Sequence, residues 1–192
     1  SEFTYLKRMN LKSYHTEDVA KENWDIIYAG FSHNGRYFYY ATNEDGSTRI
    51  TVINTVTDVP IELPNIPQGE LSSIGFSRSE RFMTYYFRGD TRPRDLYVMD
   101  LKSGESRRLT NSVPEYLDTK DLVESTLVRY KSFDGLEIPA YLYTPHYIRK
   151  GEKLPALVWV HGGPGGQSRK GYDLSLIHIS EPTRPLYISY AV

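Results

Sequence analysis

The stretch from Val158 to Gln167, VWVHGGPGGQ, carries an apolar run straight into a loop with four glycines. Glycine has no Cβ, so a loop of this composition lets an incoming group approach backbone N–H donors closely. Donors aimed at one point stabilise negative charge that develops there during a reaction. Such a loop needs a nucleophile to complete it. Ser32 and Ser77 each follow Gly-Phe, but neither has the glycine two residues further on that marks a nucleophile elbow. His15, His33 and His146 stand in polar loops with no carboxylate at a diagnostic spacing and read as surface histidines, and no metal site is legible. Glu44 and Asp45 read as a solvated turn, with a peptide amine as the alternative partner.

The chain that must position this loop has 192 residues, 39% of them hydrophobic, and a formal net charge of -1. That suffices for one medium domain, or parts of two, with a buried core. A nearly neutral chain has no long-range field to recruit nucleic acid or an anionic membrane, so neither is expected as a partner. Cysteine is absent, which excludes disulfides, thiolate catalysis and cysteine-ligated zinc and leaves the compartment open between cytoplasmic and periplasmic or secreted. No apolar run approaches the roughly 20 residues that span a bilayer, and the opening SEFTYLKRMN lacks the apolar core of a signal peptide. No cofactor is expected, and the composition does not indicate an oligomeric state.

A repeat organises the first half. GFSHNGRYFYY from Gly30 and GFSRSERFMTYY from Gly75 share Gly-Phe-Ser and, four residues after the serine, an arginine followed by an aromatic residue. Each copy leads through turn residues, NEDG and RGDTRP, into a further strand-like run, TRITVINT in the first and RDLYVMDLKSGESRRLT in the second. Units of about 40 to 45 residues built of short alternating strands are the rhythm of a β-propeller. Residues 1–116 are therefore expected to hold two blades and an edge strand of another, with Phe31 and Phe76 in equivalent inward-facing positions. The 17 tyrosines suit half-buried pleated surfaces in these strands.

The character changes near Leu117. TLVRYKSF and LEIPAYLYTP alternate and meet at Asp134-Gly135, a hairpin-turn dipeptide, and LPALVWV, Leu154 to Val160, is almost continuously apolar. The pattern predicts an antiparallel hairpin leading to a buried central strand, as an α/β-hydrolase sheet begins, with residues 117–173 forming the start of that domain. The fold class expected is mainly β, propeller blades followed by the first strands of a truncated α/β-hydrolase.

This order of GFS blades, then DLVESTLVRYKSFDGLEIPAYLYTP, then LPALVWVHGGPGGQ, resembles the prolyl oligopeptidase family of serine peptidases, in particular its acylaminoacyl-peptidase and dipeptidyl-peptidase-like branches, over residues 1 to about 173. The resemblance implies a propeller capping a hydrolase domain, short peptides as substrates, and an oxyanion hole lined by His161, Gly162 and Gly163, with Pro164 fixing the turn and Gln167 anchoring the loop. Several relatives carry tyrosine where His161 stands, which leaves the ring and the backbone as alternative donors.

In hydrolases of this fold the serine, aspartate and histidine follow the oxyanion loop in that order, yet the residues after Gln167 contain no Gly-x-Ser-x-Gly. LSLIHISEPTR, residues 174–184, and ISYAV, residues 188–192, resemble translations of a transposase-type adapter used in DNA sequencing libraries, with three index-like codons between them. Residues 174–192 are thus set aside as non-native read-through, and Ser175, His178 and Ser180 are not recruited into a triad. The expectation is an inactive, poorly folding piece of a serine peptidase whose triad is absent. The alternatives are a carboxylesterase of the same fold and a non-catalytic propeller interaction module.

Overall fold

A computed structural model describes residues 2–63, 66, 69–149, 151–163 and 165–173. The adapter-like residues 174–192 lie outside these, as does Pro164. Every regular element among the described residues is a strand, and all pairings are antiparallel. Strands β1 (Leu6–Met9) and β2 (Thr16–Ala20) form a small hairpin. Two four-stranded blades follow: β3 (Asp25–Phe31), β4 (Tyr37–Glu44), β5 (Ser47–Asn54) and β6 (Val59–Ile61), then β7 (Glu70–Phe76), β8 (Phe82–Gly89), β9 (Arg92–Asp100) and β10 (Ser106–Arg108). A last hairpin pairs β11 (Thr126–Lys131) with β12 (Glu137–Leu142).

The sequence repeat is a structural repeat, residue for residue. Gly30 pairs with Tyr39 and Gly75 with Thr84, while Phe31 pairs with Phe38 and Phe76 with Met83. Each serine that follows then closes the same turn: the Ser32 hydroxyl accepts the Tyr37 N–H, and the Ser77 hydroxyl accepts the Phe82 N–H. A Cβ on Gly30 would lie 2.6 Å from the Tyr39 hydroxyl, and one on Gly75 would lie 2.9 Å from the Thr84 hydroxyl. The glycine is there because the cross-strand side chain lies over it.

Strict alternation on β8 and β9 sends Met83, Tyr85 and Phe87, with Tyr97 and Met99, to one face. That face packs on Tyr37 and Val52 of the first blade to make the principal core. Phe76 contributes to it, its ring 5.7 Å from that of Tyr37 and 5.6 Å from that of Tyr39. Phe31 does not share this burial. The residue is 66% exposed, and the expectation of two inward-facing phenylalanines is corrected. The two positions are equivalent in the ladder, but the face bearing Phe31 points away from the second blade, and among the described residues no other four-stranded sheet covers it.

Glu80 stitches the blades together. It takes the turn position of Gly35, with a positive φ of 55°, and its carboxylate accepts the Ser32 hydroxyl at 2.5 Å and the Asn34 N–H at 2.8 Å. The bond from Ser32, helped by the backbone donors, holds its carboxyl below the usual glutamate range. A group depressed in the folded state contributes stability that is full above its unfolded pKa and is lost as pH falls through the folded one. The thermal midpoint of the wild-type chain should therefore drop on acidification from about pH 6 to 3 more steeply than that of Glu80→Gln. Parallel profiles would show that Glu80 does not join the blades.

The apolar run Leu154 to Val160 does not form the expected strand. No ladder includes it, and Val158 and Val160 are 64% and 75% exposed. A strand of a parallel sheet needs partners on its edges for its N–H and C=O groups, and among the described residues β11 and β12 pair only with each other.

Candidate functional site

The glycine loop closes on itself. The φ of Gly165 is +81°, and a Cβ on Gly166 would lie 2.0 Å from the Gly162 carbonyl oxygen, so only glycine permits this chain path at 166. By contrast, a Cβ on Gly162 would meet open space. His161 Nδ1 lies 2.9 Å from the Gly162 carbonyl. A carbonyl only accepts, so Nδ1 bears the hydrogen in this contact. The loop also carries the backbone N–H groups of Gly162 and Gly163. His161, Gly162 and Gly163 are all exposed.

Past the loop, the chain turns back onto the propeller. The Asn43 amide donates to Gln167 Oε1 at 2.8 Å, Arg169 donates to the Thr48 hydroxyl at 2.9 Å, and the Lys170 N–H donates to the Gly46 carbonyl at 3.3 Å. Lys170 and Tyr172 are buried. Gln167 thus anchors the loop through a propeller residue 124 positions upstream.

Two blade turns receive this segment and the β11–β12 hairpin. Asp45 and Gly46, both at positive φ, close the β4–β5 turn, while Asp90 and Thr91 close the β8–β9 turn. The two aspartates take the same place in successive blades. Arg129 on β11 donates to Asp45 Oδ2 at 2.5 Å, and the Tyr141 hydroxyl on β12 donates to the Asp45 carbonyl. The Asp90 side chain is fully buried and accepts the Ser125 N–H at 2.8 Å, the Ser125 hydroxyl at 2.6 Å and the Tyr143 hydroxyl at 2.7 Å. Burial, followed by the adjacent Asp90 charge, pushes the Tyr143 phenol far above its ordinary pKa, so it remains a donor. Lys170 Nζ stands 3.5 Å from Asp90 and 3.6 Å from Glu124.

The sequence reading missed this docking. Asp45 is not a solvated turn residue but the partner of Arg129, and Glu44 accepts from Thr42 at 3.0 Å and lies 3.5 Å from Arg49. The signal lay in the repeat itself, which sets Asp45 and Asp90 at the same offset as the two Gly-Phe-Ser runs. His15, His33 and His146 are exposed, and the His146 ring lies 3.1 Å from the Leu122 carbonyl. Among the described residues no group of three or more His, Cys, Asp or Glu side chains could hold a metal, and no helix is long and apolar enough to cross a membrane. A cleft of about 700 Å³ opens between the first blade and the hairpin, lined by Trp24, Ile50, Ile61, Leu71, Tyr141 and Lys170 among others. The loop residues His161 to Gly163 do not line it.

No family model matches the chain. A probable dipeptidyl-aminopeptidase B of Paracoccidioides lutzii is 22% identical over 140 residues, which are 69% of this chain and 15% of that protein. Among solved structures, prolyl oligopeptidase B of Galerina marginata, bound to a 35mer hydrolysis and macrocyclization substrate, matches 97% of this chain and 26% of its own, with a TM-score of 0.78 and 18% identity. A puromycin hydrolase matches 98% of this chain and 30% of its own, with a TM-score of 0.78 and 14% identity. Dipeptidyl peptidase 4 of Porphyromonas gingivalis matches with a TM-score of 0.71 and 16% identity, over 98% of this chain and 27% of its own. The chain therefore spans less than a third of each of these relatives, and the blades with their following hairpin have the fold that these structures share.

Proposed function

We infer that this chain is a segment of a serine peptidase of the prolyl oligopeptidase family, running from the propeller, residues 1–116, into the start of the peptidase domain, residues 117–173. The observation that carries the reading is the loop, closed by Gly166 and leaving backbone N–H groups free, placed directly after blades of the fold shared with those structures. In the full-length enzyme a serine supplied from outside these residues attacks the carbonyl of a short peptide, a histidine moves its proton, and the N–H groups of Gly162 and Gly163 stabilise the tetrahedral oxyanion. The His161 ring is turned to the Gly162 carbonyl, a contact that helps to shape the loop.

By itself the chain holds the donors but no nucleophile, and donors alone do not make an acyl-enzyme. The purified 192-residue chain should give no turnover of chromogenic dipeptide substrates and no labelling by a fluorophosphonate, whereas the enzyme containing it should give both. Labelling of the short chain would reveal a catalytic serine within it, and an unreactive full-length protein would remove the peptidase reading.

A further inference from the structure

Resting on the oxyanion reading of the loop, we propose that Asp90 and Lys170 are a positioning pair that seats the downstream arm of the glycine loop on the propeller, so that blade turns hold the loop's donors in place. The arm begins at Gln167, one residue after the glycine whose Cβ would collide with Gly162. It touches the first blade through Asn43, Gly46 and Thr48 and the second through Asp90.

Asp90 differs from these other contacts in what its carboxylate lacks. Ser125 and Tyr143 satisfy its oxygens as neutral donors, but a fully buried carboxylate also requires a cation. Lys170 is the cation the structure places beside it, with its own side chain 11% exposed. Withdrawing Lys170 would leave that charge buried and uncompensated, so the arm stays down while the hairpin stays docked. Separation of propeller and hairpin would release both ends of this arrangement together. The loop would then lose its downstream anchor whenever the domains part, which couples donor geometry to domain closure.

The chain has no cysteine, so Ser168→Cys places a single thiol on the arm. Its maleimide reaction rate reports how often the arm leaves the propeller, whether or not the loop serves an oxyanion. With Lys170→Met the rate should rise about tenfold, and with Lys170→Arg it should return close to the starting value. A Met83→Cys thiol, in the fully buried core, should remain unreactive in all backgrounds. An unchanged rate in Lys170→Met overturns the proposal, as does an equal rise at position 83, because the pair would then hold the whole fold rather than the arm. In the full-length enzyme, Lys170→Met should lower kcat by up to about 100-fold with KM little changed, since small misplacements of catalytic groups have effects of that size. An altered KM with unaltered kcat also overturns it. Failure of the thiol test with normal peptidase activity removes the pair and leaves the peptidase reading intact.

Discussion

Asp95→Ala is expected to destabilise the second blade by about 1.5 to 3 kcal/mol, the range for losing hydrogen bonds to a charged group, since the Arg108 side chain left behind is 30% exposed. Asp95 sits on the core face of β9, opposite Phe87, and is 1% exposed. A carboxylate there is tolerated because Arg108 pairs with it, the Thr110 hydroxyl donates at 2.8 Å and the Ser112 N–H at 2.9 Å. These three donors tie the three-residue outer strand β10 and the chain after it to β9. Burial by itself would push the Asp95 carboxyl up, but the donors from Thr110, Arg108 and Ser112 outweigh it and hold the group below the usual aspartate range. The stabilisation is therefore full above the unfolded pKa and is lost as pH falls through the folded value. Urea unfolding near neutral pH should show the loss as a lower midpoint at unchanged slope, and Asp95→Ala should show a shallower acid limb than the wild-type profile. Asp95→Asn, which keeps an acceptor for Thr110 and Ser112, should lose about half as much. A shift under about 1 kcal/mol for the alanine variant would mean that Arg108 and its neighbours find other partners.

The repeat made the blades legible because its residues are fixed by local geometry. Gly30 and Gly75 lie under a cross-strand side chain, and Ser32 and Ser77 close the following turn. The Asp134-Gly135 hairpin was legible for a similar reason, although only Gly135, at a φ of +87°, takes the left-handed conformation. Contacts between distant segments were not legible. Nothing near Asp45 or Asp90 in sequence announces Arg129, Tyr143 or Lys170, whose encounter depends on how the hairpin lies across the blades. Periodicity failed at Leu154 to Val160 because an apolar run states that burial is available, while a strand also needs neighbours to take its backbone hydrogen bonds. The unequal burial of Phe31 and Phe76 has the same origin. Equivalent residues of a repeat share a ladder position, but what covers them is set by the next unit along. Of the loop, its glycine content and its anchor at Gln167 were readable, whereas the need for glycine at 166 rather than 162 emerges only from the folded chain path.

That distinction yields the largest effect expected on activity. In the full-length enzyme, Gly166→Ala should lower kcat by about 100-fold or more, the effect of losing one oxyanion donor. The added methyl would stand 2.0 Å from the Gly162 carbonyl oxygen and 3.0 Å from His161 Nδ1, and a backbone oxygen cannot turn aside as a side chain would. The loop must open, which moves the peptide units on either side of Gly162 and breaks the His161 contact. Donors displaced in this way lose their aim at the transition state, while substrate binding away from the reacting carbonyl is kept, so KM should change little. Because Gly166 is exposed, the thermal midpoint should remain near the wild-type value. Gly162→Ala separates the two effects, since a methyl there meets no protein atom within 4 Å and leaves the N–H in place but stands where the substrate approaches. Its loss should be smaller than that of Gly166→Ala. Equal losses at 162 and 166 would indicate that a methyl harms the site by crowding the substrate rather than by opening the loop, and an unaffected Gly166→Ala enzyme would remove these N–H groups from the mechanism.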